Sequence, residues 1–107
     1  MRKIIINRKK AFAGCVSKVL IYTIDKIEEG VKITKEKCSF LGEIKNGAFL
    51  ETEIPENEII ILAAYDSLGV FMVTDHIVIS KGSEDVVING KVKLNPSKGN
   101  PFIFNIN

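Results

Sequence analysis

The sequence predicts an all-β fold, an antiparallel β-sandwich with short hairpins and little or no helix. Three observations carry this. Apolar residues come in short runs rich in Ile and Val, which suit a pleated surface and lose side-chain freedom in a helix. Gly, Asn, Pro and Ser break those runs at close intervals, and no long helical segment separates them.

The elements follow in order. Strands are predicted near Lys3–Asn7, Val16–Ile24, Val31–Thr34, Phe40–Lys45, Ala48–Ile54, Glu58–Tyr65, Val70–Ser80, Asp85–Leu94 and Phe102–Ile106. Asp25–Gly30 has the composition of a single helical turn closed by Gly30, too short to stand alone. In Phe49–Ile54, Leu50, Thr52 and Ile54 share one face and Glu51 and Glu53 the other, as in a strand with one wet face. Val19–Ile24 and Ile59–Ala64 are apolar on both faces and read as central strands covered on both sides. In Asp85–Leu94, Val86, Ile88, Val92 and Leu94 point inward, and Lys91 and Lys93 outward.

The turns follow the same logic. Asn46-Gly47 accepts the positive φ of a type I′ turn, predicting a tight hairpin between its flanking strands. Pro55 has no N–H for a ladder and ends a strand, and Asn57 tolerates the left-handed conformation that reverses the chain. Asn89-Gly90 reads as a bulge in one long strand or as a second hairpin turn, the bulge being favoured because the alternation survives it.

Chain totals bound the function classes. The 107 residues make one domain, 1–107, and 46% hydrophobic residues supply a core. A formal charge of +2 gives no argument for nucleic acid. The basic-apolar opening, Met1 to Ile6, stops at Asn7, short of the roughly 7–15 apolar residues of a secretory signal. No window reaches the roughly 18 apolar residues of a spanning helix. The expectation is a cytoplasmic protein without a transmembrane segment.

The run Leu41-Gly42-Glu43-Ile44-Lys45-Asn46-Gly47, then Phe49, then Glu53-Ile54-Pro55-Glu56-Asn57-Glu58, then Ile61 and Ala63 or Ala64, resembles the PEGA-type bacterial β-sandwich modules and related small bacterial domains of unknown function. The resemblance covers Phe12 to Tyr65 and touches Ser80–Ile88 more loosely. Asn57 stands where that family's break usually has Gly, and Asp25–Ser39 is longer than its usual turn, which suggests an inserted loop or hairpin. The resemblance implies an immunoglobulin-like or PEGA-like sandwich that acts as an accessory or interaction module. It brings no catalytic residues.

Chemistry-bearing residues are few. His76 is the only histidine, and it reads as a half-buried strand residue beside Met72 and Val78. Cys15 and Cys38 read as small apolar side chains; the sharper reading is a thiol activated by Lys18 or Arg8. Cys15 and His76 are thus the weak candidates for a reactive site. Two cysteines and one histidine lack the spacing of a zinc site, so no metal and no cofactor are expected. Glu51 and Glu53 share a face but read as solvated rather than as a glycosidase pair. Lys98-Gly99-Asn100 is a turn with no following helix, unlike a phosphate loop.

One distribution is less ordinary. Residues 1–20 hold Arg2, Lys3, Arg8, Lys9, Lys10 and Lys18 without an acid; residues 46–80 hold Glu51, Glu53, Glu56, Glu58, Asp66 and Asp75 without a Lys or Arg. Either neighbouring strands pair these charges across a sheet, or two complementary patches attract a partner. The candidate interaction surface is Arg8, Lys9, Lys10, Glu51, Glu53 and Ile103. Ile103 is included because Phe102–Ile106 has no charge to protect an edge, and it either pairs across a two-fold axis or is covered by the basic first strand. The leading expectation is a non-catalytic module binding a protein partner or itself as a homodimer, without nucleic acid. The alternative is a small-ligand or carbohydrate-binding domain, for which Trp 0 and Tyr 2 make a poor aromatic platform.

Overall fold

A computed structural model describes residues 1–11, 18–67, 69–93 and 101–105. The described residues form eight strands: β1 (Arg2–Arg8), β2 (Val19–Ile24), β3 (Ser39–Ile44), β4 (Phe49–Ile54), β5 (Ile59–Ser67), β6 (Val70–Ile79), β7 (Val86–Val92) and β8 (Phe102–Asn105). A 3-10 turn spans Lys35–Lys37, and the described residues contain no α-helix. The strands make two four-stranded sheets, sheet I in the order β4-β1-β7-β8 and sheet II in the order β3-β2-β5-β6. All pairings are antiparallel except β1 with β7, which is parallel.

Between the sheets lies one core, built on Ile4, Ile6, Val19, Ile21, Ile44, Ile54, Ile61 and Phe102, all fully buried. The inward side of β1 reads Arg2, Ile4, Ile6, Arg8, and all four are buried. Its two arginines sit at opposite ends of the sandwich and hold the chain where it changes sheet. Arg8 Nη1 donates to Ile44 O (2.8 Å) at the β3-to-β4 crossover. Arg2 donates from Nε to Pro55 O (3.2 Å) and from Nη2 to Asn57 O (3.3 Å) at the β4-to-β5 crossover.

Several sequence expectations are corrected here. Asn46-Gly47 does make a turn, with Ala48 N–H donating to Lys45 O (3.0 Å) and Gly47 at φ +75°. It is not a hairpin, because β3 and β4 belong to different sheets. The Asn46 amide instead bonds both main-chain groups of Ala11, accepting from its N–H and donating to its O at 2.9 Å each. This side chain acts as a strand partner and ties the turn to the chain leaving β1. The tight hairpin lies between β5 and β6, where Ser67 faces Val70 and Gly69 takes φ +81°.

Asn89-Gly90 is neither turn nor bulge. Both residues sit in β7 in unbroken register with β1 and β8. Glycine is needed at position 90 because the Phe102 ring lies on it; a Cβ would fall 2.1 Å from Phe102 Cζ. Val31–Thr34 is not a strand. The expected helical turn at Asp25–Gly30 is a reverse turn, closed by Val31 N–H to Glu28 O (3.2 Å) with Gly30 at φ +75°.

The real bulges lie elsewhere. In β3 the register skips Leu41, since Gly42 faces Ile21 and Phe40 faces Tyr22. In β6 it skips Thr74, since Asp75 faces Ala63 and Val73 faces Ala64. The second bulge carries β6 of sheet II towards β8 of sheet I. Thr74 Oγ1 then reaches Phe102 O (2.7 Å), and Asp75 Oδ2 accepts from Phe104 N–H (2.8 Å). These side-chain bonds close that flank of the sandwich.

Two substitutions test these assignments in thermal melts. Gly47→Val should destabilise by about 1–3 kcal/mol, because a β-branched residue is strained at positive φ. An unchanged Tm would refute the turn geometry. Gly90→Ala should cost at least as much, as overpacking against a fully buried ring costs about 1–3 kcal/mol. Pairing it with Phe102→Leu should recover part of the loss.

Candidate functional site

Sheet II is apolar on its outer face as well as its inner one. Tyr22, Ile24, Ile60, Leu62 and Ala64 are buried there by Ile27, Ile33 and Cys38 from the segment between β2 and β3. This is the predicted double cover of the two central strands, and the long Asp25–Ser39 stretch supplies it. The cover is fastened by Lys35 Nζ to Asp66 Oδ2 at 2.9 Å, a bond that holds the Lys35 ammonium above its ordinary pKa.

The β3 bulge decides what stands beside this cover. Alternation back from the buried Ile44 and the half-buried Gly42 would send Phe40 inward. The extra residue gives the inward place to Leu41 and turns Phe40 out, 57% exposed. Bulges of this kind re-aim side chains and are found beside functional sites. The Phe40 ring packs on Tyr22 with centroids 5.3 Å apart, and Tyr22 meets Phe71 edge-on at 5.2 Å. The three rings form a belt across the sheet. Lys35 divides two clefts over the belt, each of about 470 Å³: one lined by Leu20, Tyr22, Cys38 and Phe40, the other reaching Asp66 and Phe71. The first is mainly apolar, the usual form of a binding hollow, whereas the second is lined largely by Lys32, Thr34, Lys35, Glu36 and Asp66.

The predicted surface residues do not converge. Arg8 is a correction: it is buried and structural, and its guanidinium lies near Tyr65, whose hydroxyl burial pushes above its ordinary pKa. Lys9 and Lys10 are exposed just past β1. Glu51 and Glu53 lie on the outer face of β4, with Glu53 opposite Lys3, so charge neighbours meet within one sheet. Ile103 is partly exposed on β8, three strands across and four residues along from Glu51, roughly 20 Å away. The outer edge of β8 is engaged by Thr74 and Asp75, not by the first strand.

His76 is exposed rather than half-buried. It shares a face with Val78, but the Thr74 bulge puts Met72 on the opposite face. Asp75 does not orient its imidazole, since its two oxygens accept from the main-chain N–H groups of His76 and Phe104. Cys15 lies outside the described residues. Cys38 is a free thiol over the outer apolar face, donating to Thr34 O (3.5 Å), and burial raises its pKa.

Phe40 and Lys35 carry no mark of this role in the sequence, and Asp66 stands there only as one of the acids of residues 46–80. The only signal was the uncharged run Ser39–Gly42, which gives no sign of the bulge. Among the described residues no group of three His, Cys, Asp or Glu side chains is placed to hold a metal, and no helix is long and apolar enough to cross a membrane. No protein-family model, no curated protein and no solved structure matches the chain.

The Cys38 environment gives a measurable outcome. Alkylation by iodoacetamide, mapped by mass spectrometry, should be slower at Cys38 than at glutathione near neutral pH and rise only at higher pH, because the thiolate is the nucleophile and burial disfavours it. Faster labelling than glutathione would show an activated thiol.

Proposed function

We propose that this chain is a non-catalytic β-sandwich module that binds a protein partner through the Phe40 rim of sheet II, and that it works in the cytoplasm. The observation that carries the reading is the β3 bulge: it exposes an aromatic ring that the strand's alternation would bury, and seats it on a second, buried ring. Rigid exposed aromatics supply large contact area at little entropic cost and dominate interface energetics. The likeness of Phe12–Tyr65 to PEGA-type interaction modules supports the same reading. A free Cys38 fits a reducing compartment.

The sheet edges favour faces over edges as the contact. The β3 and β6 edges carry bulges, β4 alternates Glu51 and Glu53 outward, and β8 is bonded by Thr74 and Asp75. All are recognised devices against strand addition. A partner protein on the sheet II rim therefore ranks ahead of a two-fold dimer through β8.

Phe40→Ser tests the proposal. It should cost about 1 kcal/mol of stability, the scale of one exposed aromatic pair, yet weaken a reconstituted complex with the partner at least tenfold, as for an interfacial aromatic. A complex of unchanged affinity would overturn the Phe40 assignment. Saturable glycan binding lost in the same variant would replace it with the carbohydrate reading, and a turnover lost in His76→Gln at unchanged stability would make the chain an enzyme.

A further inference from the structure

A separate cleft lies where β6 crosses back to β7. It has a volume of about 530 Å³, and its lining includes Arg2, Ser80, Lys81, Ser83, Glu84 and Asp85. Arg2 is 5% exposed as a residue, and its Nη1 keeps some contact with the cleft. Among the described residues no carboxylate forms an ion pair with it. Its Nε and Nη2 are used on Pro55 O and Asn57 O, whereas Nη1 has no hydrogen-bond acceptor and lies towards Gly82, where a Cβ would stand 3.4 Å from it. Carbonyl dipoles orient a guanidinium but leave its charge in place, and buried charges in proteins are ordinarily paired.

We propose that the Arg2 cleft binds the carboxylate of a small ligand, with Arg2 Nη1 as the cation at its floor and Ser80, Ser83 and Lys81 as outer donors. A planar guanidinium matches a carboxylate in geometry and charge. The lining also fixes the charge of the guest. Glu84 and Asp85 face the same cleft, and Asp85 Oδ1 already accepts from Lys3 N–H (3.2 Å). They repel a dianion such as phosphate and leave room for a single negative charge, or for a carboxylate whose molecule also carries an amine. The Gly82 main chain cannot serve, because its N–H is spent on Glu56 O (2.9 Å). This site is independent of the Phe40 rim, and neither reading needs the other.

The test is a titration of the labelled full chain with acetate, glycine and inorganic phosphate at constant ionic strength, with sodium chloride as baseline, read by amide and Arg Nε–H chemical shifts. Saturable shifts at Arg2, Gly82 and Ser83 with acetate or glycine are expected, with phosphate weaker. Arg2→Lys is open to folding failure, so the decisive variant is the exposed pair Ser80→Ala with Ser83→Ala, expected to weaken binding at least fivefold at unchanged Tm. The Phe40→Ser protein should titrate like the parent. Linear, chloride-like shifts, equal titration of the double variant, or tighter binding of phosphate than of acetate would each overturn the proposal.

Discussion

Changing from one sheet to the other is the step this fold has to secure, and two buried arginines on one strand secure it. Ile4 and Ile6 fill the middle of the core while Arg2 and Arg8 close its ends on the carbonyls of Ile44, Pro55 and Asn57. A crossover leaves main-chain carbonyls without ladder partners at the rim of an apolar layer, where an unmet polar group costs about 1–3 kcal/mol. A long side chain with several donors in a fixed fork reaches them without adding a strand. Replacing either arginine with an apolar residue would therefore loosen two strands at once.

The same logic appears in smaller form at the Asn46 turn and at the β6–β8 flank. In each case a side chain bonds main chain across a gap that strands do not bridge: the Asn46 amide on Ala11, Thr74 on Phe102, Asp75 on Phe104. The sandwich is thus sealed along its flank by polar side chains, and its outward surface is left to two unlike faces. Sheet I shows water Glu51, Glu53, Lys3, Asn89 and Lys91, with Phe49 and Val87 exposed among them. Sheet II shows an apolar face under a loop, with Phe40 beside it.

Local pattern made the strands legible, and long-range pairing did not. Alternation in Phe49–Ile54 and two-sided apolar character in Val19–Ile24 and Ile59–Ala64 are properties of single segments, and each appears as read. Asn46-Gly47 has the composition of a hairpin turn, yet whether its flanking strands pair is decided by the partners available to β4, and β1 takes it. Gly90 looked like a bulge because its reason, the Phe102 ring, stands on another strand. The bulges at Leu41 and Thr74 have no composition of their own, so Phe40 gave no sign that it would face outward. Arg8 read as a surface cation because sequence cannot show which face of β1 is inward when both arginines and Ile residues share it.

The parallel pairing of β1 with β7 has a consequence for how the chain is made. Ile4 and Ile5 find their partners at Val86 and Val87, so β1 cannot complete its ladder until β7, about 80 residues later, is available. Its other neighbour, β4, comes from residues 49–54. Pairings this distant in sequence form slowly, because the intervening loop must be closed before they give any return. Until then Ile4-Ile5-Ile6 is a bare β-forming triplet. The cations around it, Arg2, Lys3, Arg8, Lys9 and Lys10, act during that interval as gatekeepers that keep nascent chains apart. Two of them are then drawn inward as the sandwich closes, so the charge that protects the unfinished strand becomes the clamp of the finished one.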